Sequence, residues 1–249
     1  MNVSYKAIHS LEGIQSFINL EYLNCEVNQL TALNLSQNPN LVILNCHFNN
    51  ITNLVISQSP NLIELNCAIN ELSNLDVSQN TNLERLWCSY NQIADLNLTQ
   101  NTKIKTLACV SNHLTSLDVT NNADLEFFNC ESNQLTNLEL LNPNLERLSA
   151  LDNQLTNLNL SQSPNLIELD CGSNELSSLD ISHNINLEIL WFSYNQITSI
   201  DLTQNPNLKV LSCVSNQLTS LDVSENPFLE FLYCESNQLT NLELLNPNL

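Results

Sequence analysis

The sequence predicts a solenoid, a fold in which copies of one short repeat stack as successive coils. The motif Leu-x-x-Leu-x-Cys-x-x-Asn-x-Leu/Ile recurs along nearly the whole chain of 249 residues. Successive copies are 21 residues apart except for one step of 20, and a repeat of this length is typical of stacked coils. The motif asparagines are Asn28, Asn49, Asn70, Asn91, Asn112, Asn133, Asn153, Asn174, Asn195, Asn216 and Asn237.

The first half of each repeat is predicted to be a short strand. Leu86 and Cys88 are two residues apart, so in a strand both point inward while Trp87 points outward. Stacked coils place such strands side by side in a parallel sheet, about 4.8 Å apart. Asn91 comes where the strand turns, and its amide can pair with buried backbone groups. We therefore predict a structural ladder of asparagines.

The second half of each repeat is predicted to be extended. In the segment LTALNLSQNPN at 30–40, inward Leu30, Leu33 and Leu35 leave no room for a helix of two or three turns. A short strand or extended segment followed by a turn fits this length. Extended structure on both sides of each coil predicts mild curvature and very little α-helix.

These residues resemble the leucine-rich repeat family, whose core is Leu-x-x-Leu-x-Leu-x-x-Asn-x-Leu, over roughly residues 8–249. The segment LTSLDVSENPFLE after Asn216 resembles the 21-residue class common in surface proteins of Bacteroidetes-type bacteria, in which Cys often takes the third Leu position. The resemblance implies a leucine-rich repeat solenoid, by convention an α/β-class horseshoe. It also implies a bacterial parent protein that is secreted or on the cell surface.

The domain organisation is predicted to be a single solenoid over residues 1–249, of about 11 repeats. Residues 1–19 resemble a partial N-terminal cap with an irregular first coil, and residues 1–7 contain no signal peptide. Residues 52–145 align without gaps to 156–249, with 27 differences in 94 positions, which indicates a duplicated five-repeat block. Because solenoids need polar caps, uncapped termini would favour end-to-end or sheet-face self-association.

The net charge of −20, from 26 acidic and 6 basic residues, argues against nucleic-acid partners and anionic membranes. No segment approaches the roughly 18 apolar residues of a membrane span, so no membrane insertion is predicted. The acidic balance favours solubility and basic partners, although a solvated surface is the default explanation.

All nine cysteines occupy the same inward strand position, which Ala150 and Phe192 fill in two other repeats. Apolar replacement indicates a core position, and free Cys packs as a small hydrophobe. Parallel side chains on a sheet are poorly placed for disulfides, and no Cys-x-x-Cys pair indicates a metal site. We therefore predict buried thiols without cofactor or metal.

No catalytic site is predicted, because no nucleophile elbow, phosphate loop or dinucleotide loop occurs. The four histidines lack metal-ligand spacing. A column of aspartates in the second half of the repeats is interpreted as a solvated acidic face rather than a calcium site. These are Asp76, Asp118, Asp180, Asp201 and Asp222.

The outward face of the main sheet is the candidate binding surface, because it carries aromatic residues flanked by apolar ones. It is centred on Trp87 to Phe127 and on Trp191 to Phe231. The candidate ligand-binding residues are Arg85, Trp87, Tyr90, Phe127, Asn129, Ile189, Trp191, Tyr194, Phe231 and Tyr233.

Two functions remain open at this point. The first is a non-enzymatic module that binds a protein or glycan partner through this face. The second is a structural spacer without a ligand, in which the aromatics stabilise the sheet by stacking with neighbours in their own columns.

Overall fold

A computed structural model describes residues 1–242, 246, 248 and 249. The contacts divide the chain into two compact units, residues 1–125 and 126–249. Every strand has three residues. The strands are β1 (Tyr22–Asn24), β2 (Ala32–Asn34), β3 (Ile43–Asn45), β4 (Asn53–Val55), β5 (Glu64–Asn66), β6 (Arg85–Trp87), β7 (Thr106–Ala108), β8 (Phe127–Asn129), β9 (Arg147–Ser149), β10 (Glu168–Asp170), β11 (Ile189–Trp191), β12 (Val210–Ser212) and β13 (Phe231–Tyr233).

Each unit contains a parallel sheet that follows the repeat order. In the first unit, β1, β3, β5, β6 and β7 are neighbours in that sequence. In the second unit, β8 to β13 are neighbours in chain order. The register pairs equivalent positions of successive repeats, as in Leu65 with Leu86. The predicted repeat solenoid with a parallel sheet is confirmed.

The core contains the inward residues of both halves of each repeat. Leu86 and Cys88 are fully buried, and so are Leu30 and Leu35 from the second half. Burying each Leu side chain stabilises the fold by about 2 kcal/mol. Since each coil is only 20 or 21 residues long, its core is completed only by stacking on its neighbours.

The motif asparagines form the predicted ladder. The Asn91 amide nitrogen donates to the carbonyl oxygens of Cys88 in its own coil and Cys67 in the preceding coil, both at 3.1 Å. Its amide oxygen accepts the backbone N–H of Leu72 at 3.0 Å. One side chain thus satisfies backbone groups of two coils, and the same pattern recurs at Asn49 and Asn195.

A second buried column of polar residues lies at the turn in the other half of the repeat. Asn101 donates to the carbonyl oxygens of Val77 at 3.0 Å and Asn80 at 2.9 Å, both in the preceding coil. Sequence reasoning placed these residues only in a turn, although their 21-residue spacing could have indicated a second ladder. The fully or almost fully buried members are Asn38, Ser59, Asn80, Asn101, Asn122, Asn142, Ser163, Asn184, Asn205 and Asn226.

The second half of each repeat is extended, as predicted. β2 pairs with β4, and an isolated bridge joins Asn159 and Asp180. Among the described residues the one helical element is a 3-10 turn at Ile14–Ser16. The prediction of very little helix is therefore confirmed, and no described helix has the length and apolarity needed to cross a membrane.

The first residues of the chain lie alongside β1. A parallel bridge joins Asn2 to Asn24, and the backbone N–H of Val3 donates to the Asn24 carbonyl oxygen at 2.8 Å. Asn24 is consequently only 8% exposed, although the alternation of the strand predicts an outward, solvated residue. The predicted cap over residues 1–19 thus includes a segment that pairs with the sheet edge.

The structure describes the second copy of the duplicated block, 156–249, except at residues 243–245 and 247. The predicted duplication lies outside the described residues at these four positions. The single-domain organisation over residues 1–249 stays a prediction.

The nine cysteines are thiols rather than disulfides. Eight are fully buried, and Cys234 is half-buried. Burial raises the pKa of the Cys88 and Cys130 thiols from 9.0 to about 12, because the thiolate loses its hydration. The cysteine position is therefore part of the core.

Candidate functional site

The outward face of the second unit carries two columns of side chains along β8 to β13. The first column contains Phe127, Arg147, Glu168, Ile189, Val210 and Phe231. The second contains Asn129, Ser149, Asp170, Trp191, Ser212 and Tyr233. Six of the predicted binding residues lie in these columns, and Tyr194 follows β11.

The aromatic residues of this face do not stack on one another. Trp191 lies between Asp170 and Ser212 in the sheet register, and Tyr233 also neighbours Ser212. Phe231 and Tyr233 are 50% and 45% exposed. Within the described part of the chain, the recorded ring–ring pair is His47 with Phe48, away from these columns. Ring-on-ring stacking therefore does not explain these residues, whereas Phe231 does have the aliphatic Val210 as a neighbour in its own column.

Three predicted residues lie in the first unit. Trp87 stands between Asn66 and Ala108 in register, and Tyr90 follows β6 with 56% exposure. Arg85 forms an ion pair with Glu64, with its Nε 3.0 Å from the carboxylate oxygen. This pair joins neighbouring strands, so Arg85 has a role within the sheet. Trp87 lies in the first unit and Phe127 in the second.

A depression of about 230 Å³ lies on the second unit's face, across β8 to β11. Phe127 and Trp191 line it, with the small side chain of Ser149 between their strands. Sequence reasoning identified both aromatic residues but missed the depression. It arises because a small residue stands among large ones on neighbouring strands, and the space left depends on how their side chains pack.

The depression is acidic. Glu131, Glu168 and Asp170 line it together with one cation, Arg147. The Arg147 Nε lies 3.6 Å from a Glu168 carboxylate oxygen. Desolvation raises the pKa of Asp170. The N–H of Gly172 donates to the Asp170 carboxylate at 3.0 Å and opposes this rise, whereas repulsion from Glu131 and Glu168 adds to it.

The equivalent region of the first unit is less acidic. The duplication aligns Asp170 with Asn66. Glu26 accepts hydrogen bonds there from the amides of Asn24 at 3.2 Å and Asn45 at 2.7 Å. These neutral amide groups stabilise the charge of the Glu26 carboxylate. Because Asn66 is neutral where Asp170 carries a carboxylate, the two units offer related surfaces with different charge.

Residues in the left-handed backbone region form a further column beside the sheet, one position before each motif asparagine. Among them are Phe48, Ile69, Tyr90 and Tyr194, with φ between 53° and 59°. This region disfavours bulky L-residues by about 1–2 kcal/mol. Sequence reasoning missed this strain, because nothing in residues such as Tyr or Ile signals a positive φ.

Replacing Tyr194 with Asn is expected to raise the free energy of unfolding by about 1 kcal/mol, because Asn tolerates the left-handed region. Tyr194 is 61% exposed, so little burial is lost. Chemical denaturation of Tyr194→Asn measures the gain. Phe228→Asn is the control, since Phe228 is 53% exposed and has no positive φ. A less stable Tyr194→Asn variant would show that the ring stabilises the fold.

The predicted acidic column has a local role. Asp76 and Asp201 each accept the backbone N–H two residues later at 2.9 Å. The side chain and backbone N–H of Ser78 lower the pKa of Asp76, and the backbone N–H and side chain of Thr203 lower that of Asp201. The described residues contain no group of three or more His, Cys, Asp or Glu side chains that could hold a metal ion. The aspartates thus shape turns on an exposed surface.

These features define a class of protein: a repeat solenoid with an exposed parallel sheet and buried ladders of Asn and Cys. The family model described as Leucine Rich repeats (2 copies) matches residues 185–226 and 206–247. A search of curated proteins found no match.

Solved structures of bacterial proteins share the fold. The functional domain of InlJ from Listeria monocytogenes, which includes a cysteine ladder, is 32% identical with a TM-score of 0.65, and the match covers 95% of this chain and 63% of that one. A leucine-rich repeat protein of Leptospira interrogans is 31% identical with a TM-score of 0.83, covering 93% and 64%. YopM from Yersinia enterocolitica is 31% identical with a TM-score of 0.81, covering 94% and 50%.

The chain carries leucine-rich repeats, as its motif indicated, and the bacterial relatives are consistent with the predicted bacterial class. It spans less than two thirds of the length of these three relatives.

Proposed function

We propose that this chain is a non-enzymatic recognition module that binds a protein partner through the outward face of its sheet. The observation that carries this proposal is the set of large rings on the second unit's face that, among the described residues, do not stack on one another. Trp191 and Tyr233 stand beside Ser212, and Phe231 and Tyr233 are about half exposed. Large aromatic residues dominate the energy of many protein interfaces.

Repeat proteins commonly bind their partners over an extended surface formed by many repeats. This supports a partner that contacts several strands. A glycan is the alternative ligand, because the flat faces of Trp and Tyr also pack on sugar rings. The bacterial relatives support a secreted or cell-surface parent protein, and self-association is a further expected property that light scattering of the purified chain would measure.

Binding of the purified chain to an array of extracellular proteins and glycans tests the proposal. Trp191→Ala should weaken binding by at least tenfold, in the range of interface hot spots. Phe231→Ala/Tyr233→Ala should do the same with less effect on folding, because both rings are exposed. Phe228→Ala is the matched control, since Phe228 is exposed but lies outside the strands.

The outcomes separate the two functions. Loss of a partner in both face variants, with Phe228→Ala unchanged, supports recognition by the sheet. A partner retained by folded face variants places the site elsewhere and overturns the proposal. The absence of any partner favours the spacer, and melting curves identify variants that lose binding through unfolding.

A further inference from the structure

The side chains that line the acidic depression of the second unit favour one kind of chemical group in a partner. It lies between the strands of Phe127 and Trp191, and Ser149 leaves space between them. Strands β8 and β11 are three coils apart, which corresponds to about 14 Å. A single long side chain of a partner, rather than a whole helix or strand, matches this size.

The charge of the depression is not balanced. Arg147 pairs with Glu168, while the described residues contain no cation within ion-pair distance of Glu131 or Asp170. Residues 126–249 contain 16 acidic and 2 basic residues, so the surrounding field is also negative. An entering cation would replace the water that Asp170 has lost and would relieve its repulsion with Glu131 and Glu168.

The aromatic lining distinguishes between cations. A guanidinium group is planar, is weakly hydrated, stacks on an indole ring and can donate two parallel hydrogen bonds to a carboxylate. Trp191 and Asp170 are direct neighbours in the sheet register, so both kinds of contact are available at one place.

We propose that the depression between Phe127 and Trp191 receives an arginine side chain of the protein partner, with Asp170 and Glu131 as its anionic contacts. This inference rests on the proposed function of the sheet face. It goes beyond that function by naming the chemical group that the second unit recognises and the residues that recognise it.

The duplication supplies a matched variant. Asp170→Asn introduces the residue that stands at the equivalent position 66 of the first unit. The Asn66 side chain accepts the N–H of Ala68 at 3.1 Å, as Asp170 accepts that of Gly172 at 3.0 Å. The variant therefore keeps the local turn and removes only the charge. Glu131→Gln is a second variant of the same kind.

The direct test uses N-acetyl-arginine amide as the probe and the indole N–H signal of Trp191 in NMR titrations. Saturable shifts are expected in the millimolar range, and N-acetyl-citrulline amide, a neutral analogue, should bind at least tenfold more weakly. Asp170→Asn should weaken the arginine probe by a similar factor. Equal binding of both probes, equal binding by Asp170→Asn, or no saturable shift would each overturn the inference.

The partner found with the array separates this inference from the proposed function. If Phe231→Ala/Tyr233→Ala loses the partner while Asp170→Asn retains it fully, the sheet face binds but the arginine site is wrong. If Asp170→Asn loses at least tenfold in affinity with an unchanged melting curve, both stand. If neither folded variant changes binding, both fail.

Discussion

Raising the pH from 8 to 10 under reducing conditions is expected to lower the free energy of unfolding by at least about 5 kcal/mol. The cause is the buried column of thiols. The pKa of Cys25, Cys88, Cys130 and Cys213 is raised by burial from 9.0 to about 12. Between these two values the unfolded chain loses the thiol protons while the folded chain keeps them.

The sign follows from this difference in bound protons. Because the unfolded state binds fewer protons above pH 9, stability falls as the pH rises toward 12. Each such thiol contributes a little over 1 kcal/mol between pH 8 and 10, so these four give about 5 kcal/mol. Burial also raises the pKa of Cys46, Cys67 and Cys171, which adds to the loss. This is comparable to the total stability of many domains, and the chain should unfold at much lower denaturant concentration.

Guanidinium denaturation at several pH values, followed by circular dichroism, measures this effect. A Cys88→Ala/Cys130→Ala variant is the control, because Ala150 already occupies the same position in another repeat. The variant should start less stable, but over the same pH range it should lose about 2–3 kcal/mol less stability than the original chain, because two of the titrating thiols are gone. Equal stability at pH 8 and 10 in the original chain would contradict the buried thiolate argument.

Replacing Asn91 with Ala is expected to destabilise the fold by about 3 kcal/mol or more. The change leaves the N–H of Leu72 and the carbonyl oxygens of Cys67 and Cys88 without the amide that now bonds to them. Asn91 is only 7% exposed, so water replaces these bonds poorly. Each buried backbone group left unpaired costs about 1–3 kcal/mol.

Urea denaturation compares this variant with Asn74→Ala, which removes the same side chain from an exposed position of the same unit. The control should change stability by less than about 0.5 kcal/mol. Hydrogen exchange of the Leu72 N–H gives a second, local measurement and should accelerate in Asn91→Ala. Similar stability of the two variants would show that the ladder is replaceable by water.

The sequence alone determined the repeat, its phase and the direction of most side chains. A 21-residue period with alternating Leu-x-Cys leaves one arrangement in which the repeated Leu and Cys residues are inward, which explains why Leu86 and Cys88 are buried as predicted. The same alternation correctly placed Trp191 and Tyr233 on the outward columns. The period allows this prediction because equivalent residues of successive coils lie side by side.

Only the tertiary structure decided how the outward side chains of neighbouring coils pack. The 21-residue period already places Trp191 between Asp170 and Ser212, but stacking creates a depression around Ser149 that no single repeat contains. It also placed Asn24 under residues 1–3 and gave Tyr194 a positive φ. These outcomes depend on contacts between residues 20 or more positions apart, and such contacts leave no signal in the local pattern of one repeat.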